Sequence, residues 1–213
     1  MRFNSLMIID KKEQIIKIAI ELFAEKGYEG TSIRDIASKA EVNVAMISYY
    51  FGSKEKLFES MIEKYAAYIR EQLEEITKDS NRSDWEKMDA IIEHYVNRFL
   101  TKHKYHRVIH QELLLEQRGN IHETIIKGFS KNRDLIKGVL ESGMMNNQFR
   151  QVDPELTIVT LVGTINQAML SKSMCSIFLA EGNDIDPYTD EAFRNRIITH
   201  IKQLIHSHLH IQA

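Results

Sequence analysis

The chain has 213 residues, 43% of them apolar and 27% charged, with a net charge of −2. This composition fits a soluble globular protein of one or two domains, and the near-neutral charge excludes one that coats nucleic acid indiscriminately. The single cysteine, Cys175, excludes an intrachain disulfide and fits a reducing cytoplasm. No run approaches the ~20 apolar residues of a membrane span, so no membrane partner is expected. The apolar stretch Leu6–Ile9 is too short for a signal-peptide core and runs directly into Asp10, Lys11 and Lys12.

The spacing predicts a first helix over residues 10–26. Ile15, Ile18, Ala19, Leu22 and Phe23 recur at i, i+3, i+4, i+7 and i+8, one apolar stripe. Gly27 supplies a left-handed stop. A second helix starts at Thr31 or Ser32, with Asp35 three residues after Ser32 in capping-box order. It turns Ile33, Ile36 and Ala37 inward. Glu41-Val42-Asn43 makes a tight turn, with Val42 buried and Asn43 capping the next helix. In that third helix Ile47 and Phe51 point to the core. Val44, Ala45, Ser48 and Tyr49 are left outside, and Gly52 ends it. Residues 1–60 hold nine basic and nine acidic side chains, but residues 42–54 carry Lys54 and no acid. Two short helices joined by a tight turn, the second small, polar and aromatic on its outer face, have the layout of a helix-turn-helix. The second helix of that unit lies in the DNA major groove.

Ser53 caps a long helix over residues 54–77, with Leu57, Phe58, Met61, Ile62, Tyr65, Ile69, Leu73 and Ile76 at apolar spacing. The polar stretch 78–84 is a loop. Further helices are predicted at 84–102, 104–118, 120–146, 154–181 and 189–209. Asp153-Pro154-Glu155 is a start signal of cap, proline and acid. The 154–181 segment is apolar nearly all round, so it needs cover on every side. A second copy of the chain is the natural cover. The predicted dimer interface is Ile158, Val162 and Ile165 with Phe193, Ile197, Ile201, Leu204 and Ile205 of the last helix.

Trp85, Tyr95, Phe99, Phe129 and Met169 are candidate walls of an effector pocket, or plain core. His103, His106 and His110 fall nearly on one helix face. His106 and His110 are counted with the pocket, and no metal or other cofactor is expected. Asn166, inside the apolar helix, needs a partner. An effector would satisfy it, and so would the register of a dimer bundle. His206, His208 and His210 read as a solvated tail. There is no glycine-rich phosphate loop, nucleophile elbow or His-Glu-x-x-His, so the chain is not expected to be an enzyme.

Three segments carry a family resemblance: Ile18-Ala19-Ile20-Glu21-Leu22-Phe23-Ala24-Glu25-Lys26-Gly27-Tyr28, then Thr31-Ser32-Ile33-Arg34-Asp35-Ile36-Ala37, then Tyr49-Tyr50-Phe51-Gly52-Ser53-Lys54-Glu55-Lys56-Leu57. With them the chain resembles the TetR family of bacterial one-component regulators, most densely over residues 12–60. Farther on, only the helix count and Phe149–Leu156 are familiar. The resemblance implies a homodimer joined through the last two helices, bound to a palindromic double-stranded operator and released by a small molecule. Thr31 and Ser32 match phosphate-contacting positions, and Arg34 a position that reaches a base. Val44, Ala45 and Ser48 match base-edge positions, Tyr49 and Tyr50 phosphate-contacting aromatics, and Lys54 the lysine that holds the DNA backbone. Asn43 is grouped with them. Glu41 departs from the pattern, which often has glycine there.

The expected fold is all-α: an N-terminal three-helix helix-turn-helix domain over residues 10–56, then a helical effector-binding and dimerisation domain over 57–210. The expected function is a sequence-specific transcriptional repressor in the bacterial cytoplasm, released from its operator by a mostly apolar effector. The rival reading is a DNA-bound adaptor without a small-molecule ligand that recruits a protein partner.

Overall fold

The computed structural model of the protein describes residues 2–115, 119–170 and 186–211, with the side chains of 2–10 and 168–170 outside that description. Every regular element among the described residues is helical: α1 (Arg2–Lys26), α2 (Ile33–Lys39), α3 (Val44–Phe51), α4 (Lys54–Lys78), α5 (Asp84–Thr101), α6 (His103–Leu115), α7 (Gly119–Met145), α8 (Pro154–Leu170) and α9 (Glu191–Leu209). No described helix is long and apolar enough to cross a membrane. Helix α1 starts well before Asp10, because residues 2–9 contain neither proline nor glycine to stop it. The predicted 154–181 helix is described as far as Leu170. Its remainder, with Cys175, lies outside the described residues, as does the Met169 side chain.

The residues group into two compact units. The first comprises 1–67 and 104–128. Its core joins Ile15, Ala19 and Phe23 of α1 to Ile36 of α2, Ile47 of α3, and Leu57, Phe58 and Met61 of α4, all fully buried. Phe23, Tyr28 and Phe58 form a triangle of rings with centroids 5.1–5.5 Å apart. Edge and offset contacts of this kind add about 0.5–1.5 kcal/mol per pair beyond area burial. Residues 104–128 belong here because Arg107 Nη2 donates to the Ala24 carbonyl at 2.6 Å. In the same unit Tyr105 stacks on Tyr65 at 4.0 Å.

The second unit comprises 68–103 and 129–213. Helix α5 lies at its centre, with Met88, Ile91, Ile92, Tyr95, Val96 and Phe99 packed among side chains of α4, α7, α8 and α9. Trp85 meets Phe149 edge-on at 4.5 Å. The chain reverses at Asn147, whose φ is +54°, and sets the Phe149 ring against Gly143. A Cβ at position 143 would stand 2.1 Å from that ring. The Arg150 amide then donates to the Leu209 carbonyl at 2.9 Å, tying this turn to the end of α9.

Two expectations are corrected in this unit. First, the residues read as a dimer interface face inward. Ile158, Ile165, Phe193, Ile197, Ile201 and Ile205 are buried in the unit's own core, and Val162 packs against it. Leu204 alone of that set is exposed, at 37%. An all-round apolar helix can bury either stripe, and the α5 side takes this one. The outward stripe of α8 is Leu156 at 64% and Val159 at 65% exposure, with Thr160, Gly163 and Gln167 also exposed. Second, the histidines of α9 are not a free tail. His206 Nε2 lies 2.7 Å from Asp89 Oδ1 and its ring is 4.5 Å from Trp85. His208 Nε2 lies 3.1 Å from the Thr157 hydroxyl.

Candidate nucleic-acid interface

The site is built on α2 and α3. Ser32 caps α2 in a complete capping box: its hydroxyl accepts from the Asp35 amide at 3.1 Å, and the Asp35 carboxylate accepts from the Ser32 amide at 2.9 Å. The Ser32 hydroxyl and amide hold the Asp35 carboxyl below its ordinary value. The turn passes through Glu41 with φ +52°, a left-handed conformation that costs a non-glycine residue roughly 1 kcal/mol. Asn43 Oδ1 then accepts from the Ala45 amide at 2.9 Å and caps α3. Gly52, with φ +81°, ends it.

Helix α3 is anchored by Ile47 and Phe51, both buried. The opposite face carries Val44 at 39% and Tyr49 at 85% exposure, with Ala45 and Ser48 also exposed. Tyr50 is half-buried, its ring edge-on to Tyr49 at 5.4 Å. On α2, Arg34 is exposed, and its side chain makes no ion pair or hydrogen bond among the described residues. A projecting face of one methyl, one isopropyl, one hydroxyl and one aromatic side chain has the chemistry of base-edge and phosphate contact.

Two of the matched positions carry contacts of the fold. Thr31 is 1% exposed. Its hydroxyl donates to the carbonyls of Leu22 and Gly27 at 3.2 and 2.8 Å, so its side chain is not available to a phosphate. Lys54 Nζ donates to the carbonyls of Tyr28 and Thr31 at 2.9 and 3.0 Å and sits 4.1 Å from the Tyr28 ring centroid. The ammonium therefore staples the α1–α2 connection to the start of α4. Sequence reasoning missed Lys12 of α1, whose Nζ lies 6.0 and 5.7 Å from the ring centroids of Tyr50 and Phe51. Nothing in the spacing pairs positions 12 and 50; only the packing of α1 on α3 does.

The predicted effector residues are spread over both units. His106 and His110 belong to the first unit and the others to the second. Tyr95 and Phe99 are core residues and Trp85 packs against that core, where burial pushes the Tyr95 hydroxyl pKa up. Phe129 and Asn166 are half-buried, and Asn166 Oδ1 is shut from solvent with no hydrogen-bond donor among the described residues. Two open clefts of the second unit, one lined by Asp84, Asp134 and Ser142 and the other by Glu75, Arg82 and His94, include none of these residues. Among the described residues no group of three or more His, Cys, Asp or Glu side chains is placed to hold a metal ion.

Comparison with known proteins brings two family models to the chain. One, "Bacterial regulatory proteins, tetR family", matches residues 15–61. The other, "Tetracyclin repressor-like, C-terminal domain", matches residues 81–170. The "Probable HTH-type transcriptional regulator YttP" of Bacillus subtilis strain 168 is 29% identical over 146 residues, covering 67% of this chain and 69% of that protein. The "Fatty acid metabolism regulator protein" of the same strain is 29% identical over 163 residues, covering 75% and 81%. Among solved structures, the transcriptional regulator FadR from Bacillus subtilis in complex with stearoyl-CoA shares the fold, with a TM-score of 0.72 at 21% identity over 93% of this chain and 99% of that one.

Proposed function

The chain belongs to the TetR family of bacterial regulatory proteins and is a DNA-binding transcriptional regulator; on that premise we propose that it is a homodimeric repressor, released from a palindromic operator by an effector with an apolar arm. Residues 10–56 read the DNA and residues 57–210 bind the effector and pair the chains. The observation that supports this reading most directly is the outward face of α3. Tyr49 is 85% exposed on a capped helix whose other face is buried, so its side chains are free to enter a groove.

Arg34, Val44, Ala45 and Ser48 read bases, while Ser32, Tyr49 and Tyr50 position the protein on phosphates. The α8 stripe of Leu156, Val159 and Gly163, continued by Leu204 of α9, is the surface we assign to the second copy. A C2 pair spaces its two recognition helices one DNA turn apart, about 34–36 Å. Effector binding shifts the pair toward a state that misses this spacing, and it does so only through different affinity for the two states.

Long-chain acyl-CoA thioesters are the effector class to test first. One relative, matched over 81% of its length, is named a fatty acid metabolism regulator, and one solved structure of similar fold holds stearoyl-CoA. Selection of bound sequences from a random DNA pool tests the DNA reading. Enrichment of an inverted repeat supports it, and no enrichment by a dimeric protein overturns it. Stearoyl-CoA added to the selected complex then releases the DNA at micromolar concentration. A complex unmoved by acyl-CoA of any chain length favours the adaptor.

A further inference from the structure

We propose that Lys12 of α1 is a phosphate clamp of the DNA face. The inference rests on the reading that α3 enters the groove, and goes beyond it in naming a contact on α1. Three observations carry it. Lys54 has two of its three ammonium donors committed to the Tyr28 and Thr31 carbonyls, which tie it to the α1–α2 connection. Several cations of the first unit are engaged, Lys39 with Glu21 at 3.3 Å, Lys56 with Glu59 at 2.6 Å and Lys11 with Gln14 at 3.0 Å; among the described lysines and arginines of that unit left without an ion pair or hydrogen bond, Lys12 is the one placed against rings of α3. Lys12 is exposed and makes no ion pair or hydrogen bond among the described residues. Instead its ammonium lies near the rings of Tyr50 and Phe51, beside Tyr49, the most exposed aromatic of α3.

Rings hold a cation differently from a carboxylate. The attraction comes from the ring quadrupole, so the full charge and its three N–H donors stay available to an anion. A cation so placed at the C-terminal end of a groove-bound helix meets the phosphate strand that borders the groove. The contact positions the protein and carries no base preference.

The test uses the full-length protein, the duplex selected from the random pool and a scrambled duplex of equal length, with affinity measured by fluorescence anisotropy between 50 and 300 mM NaCl. Each lost phosphate contact lowers the slope of log K against log salt by about 0.9. Lys12→Gln therefore lowers it by about 1.8 for a dimer, equally on both duplexes, so that the wild type's advantage shrinks about 25-fold between 50 and 300 mM salt. Lys12→Arg keeps the wild-type slope. Lys12 is a surface residue, so an unchanged thermal midpoint accompanies both variants. Lys12→Gln with the wild-type slope, while the wild type binds tightly, overturns the clamp and leaves the α3 reading standing. Wild-type protein that binds neither duplex overturns both.

Discussion

Helices α3 and α8 were both read from the sequence as presenting a working face, and only α3 presents the face expected. In α3 two apolar residues, Ile47 and Phe51, stand against polar and small ones, so burial has one solution. Asn43 and Gly52 fix both ends, and no freedom to rotate about the axis remains. In α8 apolar residues surround the axis. Either of two stripes could fill the core, and the energy difference between them depends on the shapes of α5 and α9. An amphipathic pattern specifies orientation, whereas uniform apolarity specifies only that the helix is covered.

Four measurements break or sharpen this contrast. The largest effect is expected at the DNA face: Arg34→Ala removes a base contact from each half-site, about 1–3 kcal/mol apiece. Operator affinity then falls at least tenfold in a gel shift while the dimer persists. A normal shift removes Arg34 from the interface. Next, the two stripes of α8 and α9 should separate stability from assembly. Ile201→Ala, in the core, lowers unfolding free energy by about 2–5 kcal/mol in urea titration. Val159→Glu leaves unfolding nearly unchanged and yields monomers by sedimentation. The reverse pattern would restore the inward residues as the interface.

A smaller effect is expected at the staple. Lys54→Met loses two part-buried hydrogen bonds, roughly 1 kcal/mol of stability apiece, but the folded variant keeps the wild-type salt slope on DNA. A reduced slope would return Lys54 to the phosphates. The smallest effect is pH-dependent. The Asp35 pKa is held below the ordinary 3.8 by the Ser32 hydroxyl and amide, so its carboxylate stabilises the fold above that value. The stabilisation is lost as pH falls through the depressed value. Asp35→Asn therefore melts slightly below wild type at pH 6 and converges with it toward pH 3 in a thermal scan. A constant gap would mean that the capping box does not titrate.

The legible and illegible parts divide along the same physical line. Ser32-x-x-Asp35, Asn43 and Gly52 act within a few residues of themselves, and each cap was readable because its partners are fixed by chain spacing. The Asp153-Pro154 start and the polar 78–84 loop were readable for the same reason. Contacts between distant positions were not. The Lys54 ammonium found carbonyls 23 and 26 residues away, and Arg107 found Ala24 at a separation of 83. His206 found Asp89 at a separation of 117. No local pattern announces such pairs. The fold contact of Lys54 and the placement of Lys12 accordingly emerged only once α1 lay beside α3 and α4. The effector residues were ambiguous on similar grounds, since aromatic residues at helical spacing fill a core as readily as they line a cavity.

The seating of Phe149 against Gly143 constrains how this protein can drift over generations. With the ring 2.1 Å from where a Cβ would stand, alanine at 143 evicts the phenyl group, and loss of the phenyl alone leaves a void under Trp85. Neither position can change first without harm. Among descendants of this chain the two should therefore mutate as a linked pair, a smaller residue at 149 accompanying any gain at 143.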